Sequence, residues 1–165
     1  MRSRQAAPKL QPRDADGRAR LLVGYDRHPA SHQALLVAAR LAEALDAHLT
    51  VMHVVDLEDY PIDPDRADWE EAAEKQIALE QDYATTLLAD QPIRWSYHSA
   101  RGVPADQLAR AASDLDVMFI VVGATGKNLV RRLTHGSVPQ ALFKHQPKPV
   151  LVVPEPAHSD PQPQV

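Results

Sequence analysis

The sequence predicts an α/β protein with a doubly wound, five-stranded parallel sheet and helices on both faces. Two observations lead to this prediction. Short apolar runs alternate with segments of helical periodicity in the order β-α-β-α-β-α-β-α-β, and most of the runs are continuous rather than alternately apolar and polar. A strand that is apolar throughout is buried on both faces, which is typical of a parallel sheet covered by helices. Right-handed crossovers make such a sheet doubly wound.

Five segments have the composition of strands. Three are continuous apolar runs of strand length, as buried strands require: residues 20–25 (RLLVGY), 49–55 (LTVMHVV) and 117–122 (VMFIVV). A further apolar segment, residues 149–153 (PVLVV), closes the pattern. The fifth, residues 92–99 (PIRWSYHS), alternates between polar and apolar residues, which predicts a half-exposed strand.

Four segments between the strands are predicted to be helices: residues 31–47, 69–89, 104–113 and 137–145. Ser31 is the expected N-cap of the first helix, because its hydroxyl suits a free backbone N–H. The second helix has an imperfect apolar stripe, since Glu80 falls on it. Pro104 opens the third helix, where its missing N–H costs nothing.

The chain of 165 residues is expected to form one domain. Residues 19–154 carry the periodic pattern and form the predicted domain. Residues 1–18 and 155–165 are polar or rich in proline and lack apolar anchors, so we predict a disordered tail at each end. Aromatic residues make up only 5% of the chain, so the core must consist of Val, Leu, Ile and Ala.

Composition excludes several classes of function. The chain has no cysteine, which excludes disulfides, thiolate chemistry and zinc held by cysteine. A net charge of -4 gives no reason to expect nucleic acid or an acidic membrane surface as a partner. No apolar segment has the length of a signal peptide or of a membrane span. We therefore expect a cytoplasmic protein that does not enter the membrane.

The loops that leave the strands are where we expect a ligand. In an open parallel sheet, ligands bind beyond the carboxyl ends of the strands, where the strand order reverses. The first strand is followed by Gly24, Tyr25 and Asp26, and the second leads into Asp56. Asp26 is a candidate ligand for ribose or a metal, with the capping of its own turn as the alternative.

The loop after the fourth strand has the features of a polyphosphate site. Gly123 is followed at three residues by Gly126, and nine more residues lead to Gly136 and Ser137, which open a helix. Glycine lets a backbone approach an anion, and the free N–H groups of a helix N-terminus favour phosphate. The intervening stretch begins with Lys127 and adds further cations. Each feature alone is common in turns and caps, and only their combination predicts a phosphate site.

Two better-known phosphate motifs are absent. A P-loop requires glycine at position 121, which is Val, and Ser or Thr at position 128, which is Asn. The dinucleotide fingerprint G-x-G-x-x-G does not follow the first strand.

Taken together, these segments resemble the universal stress protein family over residues 20–154. The resemblance is carried by VGYD at 23–26 with Pro29 and Ser31, HVVD at 53–56, RGVPA at 101–105, VGATG at 122–126, GSV at 136–138 and PKPVLVV at 147–153. The nucleotide motif of that family, G-x2-G-x9-G-[S/T], is complete in this chain.

The resemblance implies a site for ATP or another adenine nucleotide. In members that bind ATP, the loop of Tyr25 and Asp26 contacts the nucleoside, and the backbone at Val54 contacts adenine. The loop from Gly123, which includes Thr125, and the segment that ends at Val138 hold ribose and phosphates. Mg²⁺ is then held mainly by the phosphates.

The resemblance also implies an architecture and a partner. The sheet order is 3-2-1-4-5, as in the adenine nucleotide α-hydrolase-like fold. The chain forms a homodimer by pairing its last strand, residues 149–153, across a two-fold axis, which would cover an apolar edge. Arg27 and His28 depart from the small residues that often follow Asp26 in the family, and Pro139 removes one N–H from the phosphate helix.

Three functions remain open from the sequence. The first is a regulatory stress-response protein that binds an adenine nucleotide without fast catalysis, because no pair of residues in the phosphate loop has the form of a positioned general base. The second is a slow ATPase or an adenylyl-transfer enzyme, although the Ser-Gly-Gly-x-Asp-Ser loop of the related transferases is absent after the first strand. The third is an ATP-independent dimeric scaffold. His53 is interpreted as structural.

Overall fold

The computed structural model describes residues 16–26, 28–55, 69–124 and 148–155. In that part of the chain it contains three helices and five strands, in the order β1 (Arg20–Gly24), α1 (Pro29–Ala44), β2 (His48–Val55), α2 (Trp69–Leu88), β3 (Arg94–Arg101), α3 (Pro104–Asp114), β4 (Ile120–Ala124) and β5 (Val150–Pro154). The fourth predicted helix, residues 137–145, lies outside the described residues.

The five strands form one parallel sheet in the order β3-β2-β1-β4-β5, which confirms the predicted fold class. Val23 of β1 is in register with Val51 of β2 on one side and with Val121 of β4 on the other. The chain runs outward from β1 through β2 to β3 and then returns to place β4 against the free side of β1. The strand order therefore reverses between β1 and β4.

The two faces of the sheet bury two separate apolar clusters. Leu21 and Val23 of β1 pack with the buried residues of α1 and α2, whereas Leu22, between them in sequence, packs with Leu108 of α3. Because successive side chains of a strand point to opposite faces, a strand covered on both sides needs apolar residues at every position. This explains the continuous apolar runs, and each leucine buried in this way contributes about 2 kcal/mol.

Helix α1 differs from the prediction at its start. It begins at Pro29 with His28 as the N-cap residue, and the side chain of His28 makes no capping hydrogen bond within the described part of the chain. Proline fixes φ near the helical value, so it is well suited to the first helical position. The prediction of Ser31 as N-cap is therefore wrong: Ser31 lies inside the first turn, where its hydroxyl makes other bonds.

The other element boundaries differ from the predicted ones by a few residues. The difference reaches three residues at the end of α1, which is Ala44 rather than residue 47, and at the start of β4, which is Ile120 rather than residue 117. Asp116, which precedes β4, has a left-handed backbone conformation with φ at 47°. The amide of Val117 donates to the carbonyl of Ala112 at 3.1 Å. Val117, the first apolar residue of this run, therefore belongs to the turn that ends α3, whereas Met118 and Phe119 already hydrogen-bond to β1. None of the helices in the described ranges combines the length and apolarity needed to span a membrane.

Candidate functional site

The turn that leaves β1 is fixed to β2 through the backbone of Tyr25. The amide of Tyr25 donates to the carbonyl of Met52 at 2.9 Å. Its carbonyl is 3.0 Å from Nδ1 of His53, which is only 6% exposed. Because a carbonyl has no proton to give, His53 must carry a proton on Nδ1 and donate it. The interpretation of His53 as a structural residue agrees with this bond.

Ser31 fixes the same turn from the side of α1. Its hydroxyl donates to the carbonyl of Gly24 at 3.3 Å and accepts from the amide of Asp26 at 3.1 Å. The two backbone groups on either side of Tyr25 are thus satisfied by one side chain. The sequence pattern suggested a hydroxyl near a helix start, but it did not indicate that the hydroxyl would bind the preceding strand.

Asp26 is the exposed group that this turn presents. Its Oδ1 accepts a hydrogen bond from the amide of His28 at 2.9 Å, which is the Asx-turn geometry that aspartate favours. The side chain is exposed at the carboxyl end of β1, where the strand order reverses. The structure therefore shows both features that the sequence suggested for Asp26, capping of its own turn and a place at the switch point.

The end of β4 lies directly against the first turn of α1. A β-carbon built on Gly123 would be 2.5 Å from the carbonyl carbon and oxygen of Ala30 and 2.7 Å from the amide nitrogen of Ser31. These distances are below any normal contact, so only glycine fits at position 123. The sequence suggested that glycine at position 123 gives room to an anion. Among the described residues, the neighbour that leaves room only for a glycine there is the backbone of α1. The same contact brings the exits of β1 and β4 together.

The ring of Tyr25 points away from the turn and into the core. The residue is 3% exposed and packs in the cluster beneath α1 and α2, and its ring stacks on His32 with 5.7 Å between centroids. Burial raises the pKa of Tyr25 to about 12, and the nearby charge of Glu80 adds to the effect. Of the two residues predicted at this loop, Asp26 is the one whose side chain is exposed.

The end of β2 is tied to the turn that precedes α3. Val54 is half-buried and in register with Ala100 of β3. One residue later, the carbonyl of Val55 accepts from the amide of Gly102 at 3.0 Å. Gly102 has φ at 130°, a conformation that side chains other than that of glycine rarely adopt. Val54 and the start of α3 therefore lie at the carboxyl ends of the strands, as Asp26 does.

The rest of the predicted phosphate site lies outside the described residues: Thr125, Gly126, Lys127, Gly136, Ser137 and Val138. Their roles remain predictions, as do those of Arg27 and Pro139. Within the ranges that the structure describes, no three His, Asp or Glu side chains are placed so that they could hold a metal ion together.

Comparison with known proteins decides the family. The model of the universal stress protein family matches residues 17–154. The chain belongs to the universal stress protein family. A curated relative, a universal stress protein of Methanocaldococcus jannaschii, is 28% identical over 140 residues, which cover 83% of this chain and 82% of the relative.

Solved universal stress proteins share the fold. One from Lactobacillus plantarum superposes with a TM-score of 0.68 at 24% identity, over 82% of this chain and 97% of that one. A universal stress protein in complex with cAMP gives a TM-score of 0.63 at 20% identity, over 84% and 98% of the two chains. One from Archaeoglobus fulgidus in complex with dAMP gives 0.58 at 18% identity, over 82% and 97%. Both ligands are adenine nucleotides, bound by those proteins.

Proposed function

We propose that this universal stress protein binds an adenine nucleotide, ATP in the first place and ADP or AMP as alternatives, and acts as a regulatory stress-response protein without fast catalysis. The observation on which the proposal rests is the packing of Gly123, at the end of β4, against the first turn of α1, whose Ser31 also binds the exit of β1, where Asp26 is exposed. Doubly wound sheets bind their ligands at such a switch point. The relatives solved with cAMP and dAMP support an adenine nucleotide as the ligand.

The described groups fit the nucleoside part of such a ligand. Asp26 has Oδ1 occupied by the amide of His28, and its carboxylate retains further acceptor positions for a ribose hydroxyl. We propose that the backbone at Val54, which also lies at the carboxyl ends of the strands, contacts adenine. Phosphates would be held by the glycine-rich loop from Gly123 and by the helix that Gly136 opens. Mg²⁺ would neutralise the charge of the triphosphate.

We further propose that the chain forms a homodimer through β5. This strand lies at one edge of the sheet, with its side chains largely apolar and Leu151 38% exposed. The opposite edge, β3, carries the exposed polar residues Arg94 and His98. Charged residues protect an edge from pairing, whereas a bare apolar edge invites it. The difference between the two edges supports β5 as the dimer contact.

We further propose that the protein acts in the cytoplasm and that residues 19–154 form its nucleotide-binding domain. A dimeric scaffold that works without nucleotide is the second candidate, and the apolar edge at β5 favours it equally. Nucleotide binding decides between the two.

Native mass spectrometry of the purified protein tests for nucleotide that remains bound through purification, and calorimetry with ATP, ADP and AMP measures affinity. We expect binding in the micromolar range, strengthened by magnesium.

Asp26→Asn should weaken nucleotide binding, because the amide nitrogen cannot accept a hydrogen bond from a ribose hydroxyl. The matched change Asp114→Asn, at an exposed position at the end of α3, should not weaken it. Absence of heat with all three nucleotides would favour the scaffold, and turnover well above background would favour the slow ATPase.

A further inference from the structure

We propose that Ser31 is a positioning residue of the nucleotide site, which holds Asp26 in place for the ribose and sets its position relative to the exit of β4. The inference rests on the proposed function. It goes beyond it because Ser31 touches no ligand in this scheme: it acts through the backbone of the turn that carries Asp26.

The first step is the pair of bonds that Ser31 makes. Its hydroxyl joins the last carbonyl of β1, at Gly24, to the amide of Asp26. Ser31 is 6% exposed, so water has little access to replace the hydroxyl. Without it, both backbone groups would lose this partner at a part-buried position, which is costly. The turn would then have to move to recover hydrogen bonds, and the carboxylate of Asp26 would move with it.

The second step is the contact of the same residue with β4. The amide nitrogen of Ser31 is 2.7 Å from the place where a β-carbon of Gly123 would lie. The amide itself donates to the carbonyl of His28 at 2.9 Å, so it is fixed within the first turn of α1. Ser31 therefore contacts the exit of β1 through its side chain and the exit of β4 through its backbone. The distance between the two loops of the site depends on this residue.

The third step is that α1 does not require a serine at this position. Alanine has the higher helix propensity, and the bonds given for the Ser31 hydroxyl go to Gly24 and Asp26, outside the helix. The hydroxyl therefore serves the turn rather than the helix. The turn also has the independent bond from His53 to Tyr25, so we expect the Ser31→Ala variant to fold.

The test compares Ser31→Ala with the wild type in two measurements. Amide hydrogen exchange of Asp26 reports on the turn without any ligand, and we expect it to become about tenfold faster in the variant. Calorimetry with AMP reports on binding, and we expect the Kd to rise about tenfold. The control Ser113→Ala, at an exposed position near the end of α3, should change neither.

Two further readouts separate positioning from a general loss of stability. A dideoxy analogue of AMP that lacks both ribose hydroxyls cannot use Asp26, so Ser31→Ala should leave its Kd unchanged. In an Asp26→Ala background, Ser31→Ala should likewise have less than about a twofold effect on AMP binding. A purely structural role would weaken both ligands equally in both backgrounds.

The outcomes distinguish the two proposals. If Asp26 exchange is unchanged in Ser31→Ala, or if the two substitutions act additively on AMP binding, the positioning role is wrong. If the wild type binds neither AMP nor ATP, the proposed function is wrong, and the exchange of Asp26 still shows whether Ser31 holds the turn. Faster exchange together with a selective loss of AMP binding would support both.

Discussion

Gly123, the penultimate residue of β4, lies so close to Ala30 that a β-carbon at position 123 would be 2.5 Å from the Ala30 carbonyl. Two segments far apart in sequence therefore share a contact that admits only backbone atoms. This contact places the first turn of α1 between the exits of β1 and β4, and with it the exposed carboxylate of Asp26. The geometry of the candidate site thus depends on the absence of a side chain at one position.

Gly123→Ala should destabilise the protein strongly. The added methyl group would meet backbone atoms of Ala30 and Ser31, which can move only if α1 moves, so we expect a loss of about 3 kcal/mol in the free energy of unfolding. Gly24→Ala is the matched control, because its methyl group would meet mainly the flexible side chain of Leu108 at 3.0 Å. Denaturant unfolding followed by circular dichroism measures both, and an equal loss in the two variants would contradict the prediction.

The fold could be predicted from the sequence because its signals are local. Continuous apolar runs identified the buried strands, and a parallel sheet with helices on both faces followed from them. The resemblance to the family supplied the strand order. Local patterns do not show which distant groups meet, so neither the bonds of Ser31 to the end of β1 nor the contact of Gly123 with α1 was predicted.

Tyr25 shows a second limit of sequence patterns. It was predicted as a site residue because it precedes Asp26 in the motif, and the motif does not distinguish a residue that contributes its backbone from one that contributes its side chain. Its ring is buried, while its backbone amide and carbonyl bind β2. Alternation along β1 would have placed this ring on the same face as Leu21 and Val23, and the predicted strand did extend to Tyr25.

Replacement of His53 by leucine should loosen the turn without removing the fold. The change removes the bond from Nδ1 to the Tyr25 carbonyl, and an unpartnered buried carbonyl costs about 1–3 kcal/mol. We expect a loss of that size in the free energy of unfolding. His98→Leu, at an exposed position on the edge strand β3, is the control and should have little effect. If both variants unfold at the same denaturant concentration, the bond of His53 does not stabilise the turn.

Tyr25→Phe should stabilise the protein at neutral pH. The hydroxyl of Tyr25 is buried and has no hydrogen-bond partner among the described residues. Removing it abolishes the cost of its desolvation, so we expect a gain of about 1 kcal/mol. Tyr83→Phe, at a position 52% exposed, should be neutral. A clear loss of stability in Tyr25→Phe would indicate that the hydroxyl has a partner in the folded protein.

The protein should lose stability in alkali because the fold raises the pKa of Tyr25 and Tyr97. Burial, with the charge of Glu80, raises the pKa of Tyr25 from 10.0 to about 12, and the same causes raise the pKa of Tyr97. Below pH 10 both are neutral whether the chain is folded or unfolded, so the folded state loses nothing. Between pH 10 and 12 the unfolded chain ionises first, and each such tyrosine lowers the free energy of unfolding by about 1.4 kcal/mol per pH unit.

The Tm measured by thermal unfolding between pH 8 and pH 11 tests this effect. We expect the Tm to fall above about pH 10 and to fall less steeply in Tyr25→Phe. Tyr83→Phe, which is largely exposed, should follow the wild type. An equal slope in all three proteins would show that ionisation of Tyr25 is not coupled to unfolding.

Leu151→Lys should dissociate the proposed homodimer into folded monomers. Leu151 is 38% exposed on β5, at the edge of the sheet, and a lysine there would place a charge in the interface that pairing of two β5 strands creates. His98→Lys makes the matched change on the opposite edge strand, β3, and should leave the oligomeric state unaltered. Light scattering after size exclusion gives the mass of each variant, and circular dichroism shows whether it is folded. A dimer that survives Leu151→Lys but dissociates in His98→Lys would place the contact at β3, and a monomeric wild type would exclude the dimer altogether.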